Sequence, residues 1–178
     1  MRTIDPARTT LVVIDLQDRL VPAIEGHERI VANVRRLIEA ARLFGVPVVA
    51  TEQYPKGLGR TIEALAVERA DVLEKTEFDA SRNSGFGRLV PGERPDLVVV
   101  GCEAHVCVLQ TVFGCLDGKR KVHVVADAIG SRAADDKRVA IERMLRHGAD
   151  VVTSEMVVFE WLGGKDHPKF KEATALIR

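Results

Sequence analysis

The chain has 178 residues and a mass of 19.6 kDa, a length that fits one domain spanning residues 1–178. Hydrophobic residues are 46% and charged residues 29%, which excludes disorder, collagen and a disulfide-stapled miniprotein. Lys plus Arg and Asp plus Glu are both 26, for a formal net charge of +0, so the basic excess of a nucleic-acid binder is missing.

A neutral surface favours self-association, which points to a homo-oligomer. Residues Met1 to Thr10 lack a basic segment followed by an apolar stretch, so no signal peptide is expected. No apolar run approaches the roughly 20 residues that span a bilayer, and no membrane partner is expected. Cys102, Cys107 and Cys115 are odd in number and crowd into one stretch. A secreted disulfide framework looks different, so the expected location is the cytoplasm, with reduced thiols. No two of them have CxxC spacing, which argues against a zinc knuckle or thioredoxin-type site.

In chain order, the first apolar run is Leu11–Ile14. A helical pattern follows from about Glu28 to Phe44, with Ile30, Val34, Leu37, Ile38 and Ala41 on one face and Gly45 as its stop. Val46–Val49 is a second run, Asp71–Glu74 a weaker third and Leu97–Val100 a strong fourth. A helix is predicted from about His105 to Leu116, then a strand at Val122–Val125. The last pair is a helix over Asp135–His147, stopped by Gly148, and a strand at Asp150–Val152. Continuous apolar runs indicate strands buried on both faces, as in a parallel sheet. Strands alternating with helices indicate right-handed βαβ units and a doubly wound α/β sandwich. Ligands of that fold sit outside the carboxyl ends of the strands.

Chemistry-bearing residues gather at those ends. Asp15 closes the first strand, where it can face the ligand crevice or cap a loop. Lys75 follows the weak third strand; a lone Lys is ordinarily a solvated surface group. Cys107 lies seven residues after Val100, which ends the fourth run, and falls in the first turn of the predicted helix. There the helix dipole and unpaired N–H groups lower a thiol pKa and can hold an oxyanion. The competing reading is a buried Cys acting as a small hydrophobe, which suits Cys102 and Cys115 better. Together, Asp, Lys and Cys make a nucleophile, a proton acceptor and a cation that stabilises both anions.

The segments Leu11-Val12-Val13-Ile14-Asp15-Leu16-Gln17, Glu74-Lys75-Thr76-Glu77-Phe78 and Gly101-Cys102-Glu103-Ala104-His105-Val106-Cys107-Val108 resemble the isochorismatase-like cysteine hydrolases in order and spacing. Thr51-Glu52-Gln53-Tyr54-Pro55-Lys56-Gly57-Leu58-Gly59, Thr153-Ser154-Glu155 and His167-Pro168-Lys169-Phe170-Lys171 are similar to the narrower isochorismatase domain-containing subgroup. The resemblance implies a three-layer α/β sandwich, with a six-stranded parallel sheet in order 3-2-1-4-5-6 flanked by helices. It implies an Asp–Lys–Cys triad at Asp15, Lys75 and Cys107. It also implies a non-proline cis peptide at Cys102–Glu103 and an oxyanion hole from the Glu103 and Cys107 N–H groups.

The departures carry information too. Nicotinamidases of the family bind a metal through Asp-x-His after the second strand, whereas this stretch reads Ala50-Thr51-Glu52-Gln53-Tyr54, with no His between it and His105. No metal or other cofactor is therefore expected, and nicotinamide is disfavoured as substrate. Isochorismatases proper cleave a vinyl ether without needing a Cys, so Cys107 argues for attack on a carbonyl. Asp79 follows Phe78 where the family has Ser, a change that either alters the pocket or caps the next turn.

Gln53 and Tyr54 follow the second strand and are candidate substrate contacts, or simply form the Tyr54-Pro55 turn. Phe78 reads as a pocket wall or as core. His105 is set aside as general base in favour of Asp15, Asp127 reads as a loop-ordering carboxylate, and Arg132–Arg138 as a solvated helix start. By the same resemblance, Phe159 and Trp161 are candidates for a subunit interface. The resulting expectation is a metal-independent cysteine hydrolase that cleaves an amide-type C–N bond of a small molecule through a thioester. The alternatives are a non-catalytic scaffold or binding member, and an ether-cleaving isochorismatase with Asp15 as general acid.

Overall fold

The computed structural model describes residues 3–177. Six strands form one parallel sheet: β1 (Thr9–Ile14), β2 (Val48–Gln53), β3 (Val72–Lys75), β4 (Asp96–Cys102), β5 (Lys121–Gly130) and β6 (Asp150–Val152). Their order is β3-β2-β1-β4-β5-β6, and every neighbouring pair is parallel. The helices are α1 (His27–Phe44), α2 (Pro55–Leu58), α3 (Phe86–Leu89), α4 (Leu109–Asp117), α5 (Ala134–Arg146), α6 (Ser154–Leu162) and α7 (Phe170–Leu176).

Alternate residues along the central strands feed two separate cores, which is why the apolar runs are unbroken. Leu11, Val13, Val98 and Val100 pack with α1 and α6, through Val34, Leu37, Ile38, Val157 and Trp161. Val12, Ile14, Leu97 and Val99 pack on the other face with α4 and α5, through Leu109, Val112, Ala140 and Met144. The chain runs outward from β1 to β2 and β3, then returns to place β4 on the opposite side of β1. The crevice of a doubly wound sheet opens at this reversal. β1 and β4 approach closely here. Gly101 has φ +113°, and a Cβ on it would stand 2.0 Å from the Ile14 carbonyl oxygen, so only glycine fits.

Several boundaries differ from the sequence reading. β2 starts at Val48 and runs through polar Thr51, Glu52 and Gln53. Thr51, Glu52 and Gln53 find ladder partners in Leu73, Glu74 and Lys75 of β3. β5 continues past Val125 to Gly130 through a register shift against β4. Helices α6 and α7 lie where no helix was predicted. Trp161 is 3% exposed and packs edge-on to Phe44, which corrects its assignment to an interface; it is core. Phe159 on the same helix is exposed. Among the described residues no helix is long and apolar enough to cross a membrane.

Candidate active site

Asp15 leaves β1 with a left-handed backbone, φ 47°, an uncommon conformation for a residue other than glycine. Its N–H donates to the Thr51 carbonyl at 3.2 Å and reaches the Thr51 hydroxyl at 3.3 Å. The carboxylate is fully buried and both oxygens are engaged. Thr51 Oγ1 donates to Oδ1 at 2.5 Å, and Lys75 Nζ donates to Oδ2 at 2.8 Å. The Lys75 side chain is equally buried. Its ammonium also donates to Gln53 Oε1 at 2.7 Å, because Gln53 and Lys75 are paired in the β2–β3 register.

A further residue fixes Gln53. The Gln17 amide accepts from Gln53 N–H at 2.8 Å and donates to the carbonyls of Gln53 and Gly59, at 3.1 and 2.7 Å. Thr51 and Gln17 therefore hold the Asp15–Lys75 pair in place, a role the sequence reading did not give them. Both lie in segments that carry the family resemblance, which assigned neither of them a role.

Cys107 reaches the pair from the other side of the reversal. It is 6% exposed and lies in a π-helical turn, Ala104–Val108, with α4 beginning only at Leu109. The expectation of a thiol acidified by the first turn of an α-helix is corrected here. Burial, followed by the Asp15 carboxylate, pushes the Cys107 thiol up to about 12, while Lys75 pulls the other way. The resting group is a neutral thiol between an acid that can take its proton and a cation that can stabilise its anion. Cys102 and Cys115 are also buried, and burial raises both thiols. Cys102 Sγ donates to the Asp15 carbonyl at 3.4 Å.

The Cys102–Glu103 peptide is cis. The Glu103 carbonyl accepts the N–H groups of Val106 and Val108, each at 3.1 Å, closing the turn that carries Cys107. The Glu103 carboxylate accepts from Arg132 Nε at 2.8 Å.

The remaining candidates divide. Tyr54 is 55% exposed, and its N–H donates to the Lys75 carbonyl at 2.9 Å. It lines a cleft of about 360 Å³ with Lys56, Lys75, Thr76 and Asn83. Phe78 is 51% exposed and belongs to neither core. Asp79 caps the turn Ala80–Arg82, accepting from Ser81 N–H at 2.9 Å. Asp127 orders the start of α6, accepting from the Ser154 N–H and hydroxyl at 2.8 and 2.6 Å. His105 faces Ser131, with Nδ1 2.9 Å from its hydroxyl oxygen. A larger cavity of about 570 Å³ lies along α6, beside Met156 and Phe159, away from Asp15, Lys75 and Cys107.

The metal-binding stretch of the nicotinamidases does not fit here. Glu52 commits its carboxylate to the Thr61 N–H and hydroxyl and to Arg69. Among the described residues no group of three or more His, Cys, Asp or Glu could hold a metal ion.

The model of the isochorismatase domain matches residues 9–156. The chain belongs to the isochorismatase family. It is 40% identical over 176 residues to isochorismatase domain-containing protein 1 of Salmo salar, covering 97% of this chain and 62% of that protein. It is 37% identical to isochorismatase domain-containing protein 2 of Homo sapiens, covering 97% of this chain and 84% of that one. The chain thus spans less than two thirds of the protein 1 sequence it matches. Among solved structures it is similar to one titled a MAR1 ribonuclease, from Caenorhabditis elegans. That likeness has a TM-score of 0.93 and 40% identity, covering 98% of this chain and 92% of the other. The strand order of this isochorismatase-family sheet is the one the sequence resemblance implied.

Proposed function

We propose that this isochorismatase-family chain is a metal-independent cysteine hydrolase that cleaves an amide-type C–N bond of a small molecule. The observation that carries the proposal is the buried Asp15–Lys75 pair, 2.8 Å apart, acting in opposite senses on the Cys107 thiol. As a substrate carbonyl arrives, the thiol proton passes to Asp15 and Cys107 Sγ bonds to the carbonyl carbon. The Glu103 and Cys107 N–H groups receive the oxyanion. Collapse of the tetrahedral adduct breaks the C–N bond, and the amine leaves with the proton held by Asp15. The same carboxylate then activates water on the thioester, which releases the acid and returns the proton to Cys107. Lys75 holds the Asp15 carboxylate in place and its charge stabilises the transient thiolate. Gln53, Tyr54 and Phe78 are the proposed substrate contacts, of which Tyr54 lines the cleft beside Lys75. In this reading residues 1–178 form one hydrolase domain that works in a homo-oligomer in the reducing cytoplasm.

Two other readings remain as outcomes of the test. The name of the Caenorhabditis elegans neighbour raises RNA cleavage, but a polyanion calls for a basic surface, and this chain has 26 basic and 26 acidic residues. Ether cleavage would use Asp15 as acid without Cys107. The test is release of ammonia or amine from a panel of small amides, with single-stranded RNA and a vinyl ether alongside, for the native chain and Cys107→Ala. Amide turnover lost in Cys107→Ala is the expected result. Ether or RNA cleavage that survives Cys107→Ala would overturn the proposal.

A further inference from the structure

Besides its core packing, the turn that carries Cys107 makes two polar side-chain contacts with the corner between β5 and α5. Cys102 pairs with Gly130 in the β4–β5 register, so the segments that follow the two strands start side by side. At the first point, Arg132 Nε donates to Glu103 Oε1 at 2.8 Å. At the second, His105 Nδ1 lies 2.9 Å from Ser131 Oγ, and its Nε2 lies 3.8 Å from Asp136. Ser131 is buried, while Arg132 is largely exposed. The Glu103 side chain is only 13% exposed, so the ion pair reaches inward to the backbone that closes the π-turn. Among the described residues no side-chain hydrogen bond joins the Asp15–Lys75 pair to Glu103 or Arg132, so the corner supports the turn separately from that pair.

We propose that Arg132 is a positioning residue for acyl transfer. By holding the Glu103 carboxylate, it fixes the Glu103 and Cys107 N–H groups where the oxyanion forms, while Ser131 fixes the same turn through His105. The inference rests on the hydrolase reading above. With the Arg132 half of the pair largely exposed, its contribution to stability is small, so the role appears in the chemistry rather than in the melting curve. A displacement of about 1 Å in such donors can lower a rate about 100-fold.

Two reagents separate this role from general support of the site. p-Nitrophenyl acetate acylates Cys107 through an oxyanion: the S–C bond forms, p-nitrophenolate leaves and the thiol proton goes to Asp15. Iodoacetamide alkylates the same sulfur with loss of iodide and forms no oxyanion. Arg132→Ala is expected to slow acetylation of Cys107 about 10- to 100-fold while alkylation stays within about twofold. Arg132→Lys, which keeps the charge but not the fork, recovers part of the loss. Equal acetylation in Arg132→Ala and the native chain would reduce Arg132 to a surface ion pair and overturn the proposal. Equal loss of both reactions would also overturn it, because it would mean that the whole turn had moved. If native Cys107 alkylates but never acetylates, the hydrolase reading fails, and this inference fails with it.

Discussion

Lys75 Nζ stands 2.8 Å from Asp15 Oδ2, and neither side chain has any exposed surface. The two residues come from different strands, with β2 between them, and each is the other's charge partner. Removing one leaves an uncompensated charge in the interior, which costs about 3–5 kcal/mol. Lys75→Met is therefore expected to abolish turnover and to lower stability by about that amount in urea. Adding Asp15→Asn should restore part of the stability but none of the activity. A Lys75→Met variant as stable as the native chain would show that the pair is solvated in solution.

Thr51 tests the support beneath the pair. Its hydroxyl donates to Asp15 Oδ1 at 2.5 Å, and Val has nearly the same shape without the donor. Loss of a hydrogen bond to a buried charged group costs about 1.5–3 kcal/mol. Thr51→Val should lower stability within that range and reduce kcat more than it raises KM. Unchanged kcat would mean that Asp15 is held by Lys75 alone.

The approach of β4 to β1 gives a backbone prediction. A side chain at Gly101 would need a strained φ of +113° and would overlap the Ile14 carbonyl. Gly101→Ala is expected to cost more than about 4 kcal/mol, the range of severe core defects, read as loss of soluble protein or of a cooperative melt. A soluble Gly101→Ala with a native melting temperature would contradict the close approach.

The buried thiols predict a pH dependence of stability. Cys107 and Cys115 are raised from the ordinary 9.0 to about 12, and Cys102 is raised well above it. In the unfolded chain these thiols lose their protons above about pH 9, while the folded chain retains them. The unfolded state then binds fewer protons, so stability falls as pH rises. The full contribution is present below about pH 9 and is lost progressively toward about pH 12. Urea titrations from pH 7 to pH 10 should show this decline, and Cys115→Ala should flatten it. A decline of the same slope in Cys115→Ala would assign it to other groups.

The central strands β1 and β4 were legible because they are buried on both faces and read as apolar runs, whereas β3, with Glu74 exposed, gave only a weak run. α6 was not legible. Met156, Val157, Val158, Phe159, Trp161 and Leu162 leave it no polar stripe, and a helix without a stripe has no 3.6-residue signature. Asp15, Lys75 and Cys107 were legible as polar residues at or just beyond strand ends, which the fold brings to one crevice. Thr51 and Gln17 were not, because their roles follow from the β1–β2–β3 register rather than from neighbours in sequence. The Cys107 thiol was misjudged for a related reason. The sequence shows a nearby helix, whereas burial and an acid 92 positions away in the chain decide the shift.

The central claim is that Cys107 forms a thioester, and one measurement addresses it directly. Native protein is treated briefly with p-nitrophenyl acetate, quenched in acid and mapped by mass spectrometry. The account predicts one acetyl group on Cys107, none on buried Cys102 or Cys115, and slower acetylation in Asp15→Asn. Repeated p-nitrophenolate release by Cys107→Ala at the native rate, or an unmodified Cys107 in a chain that still turns over, would contradict it.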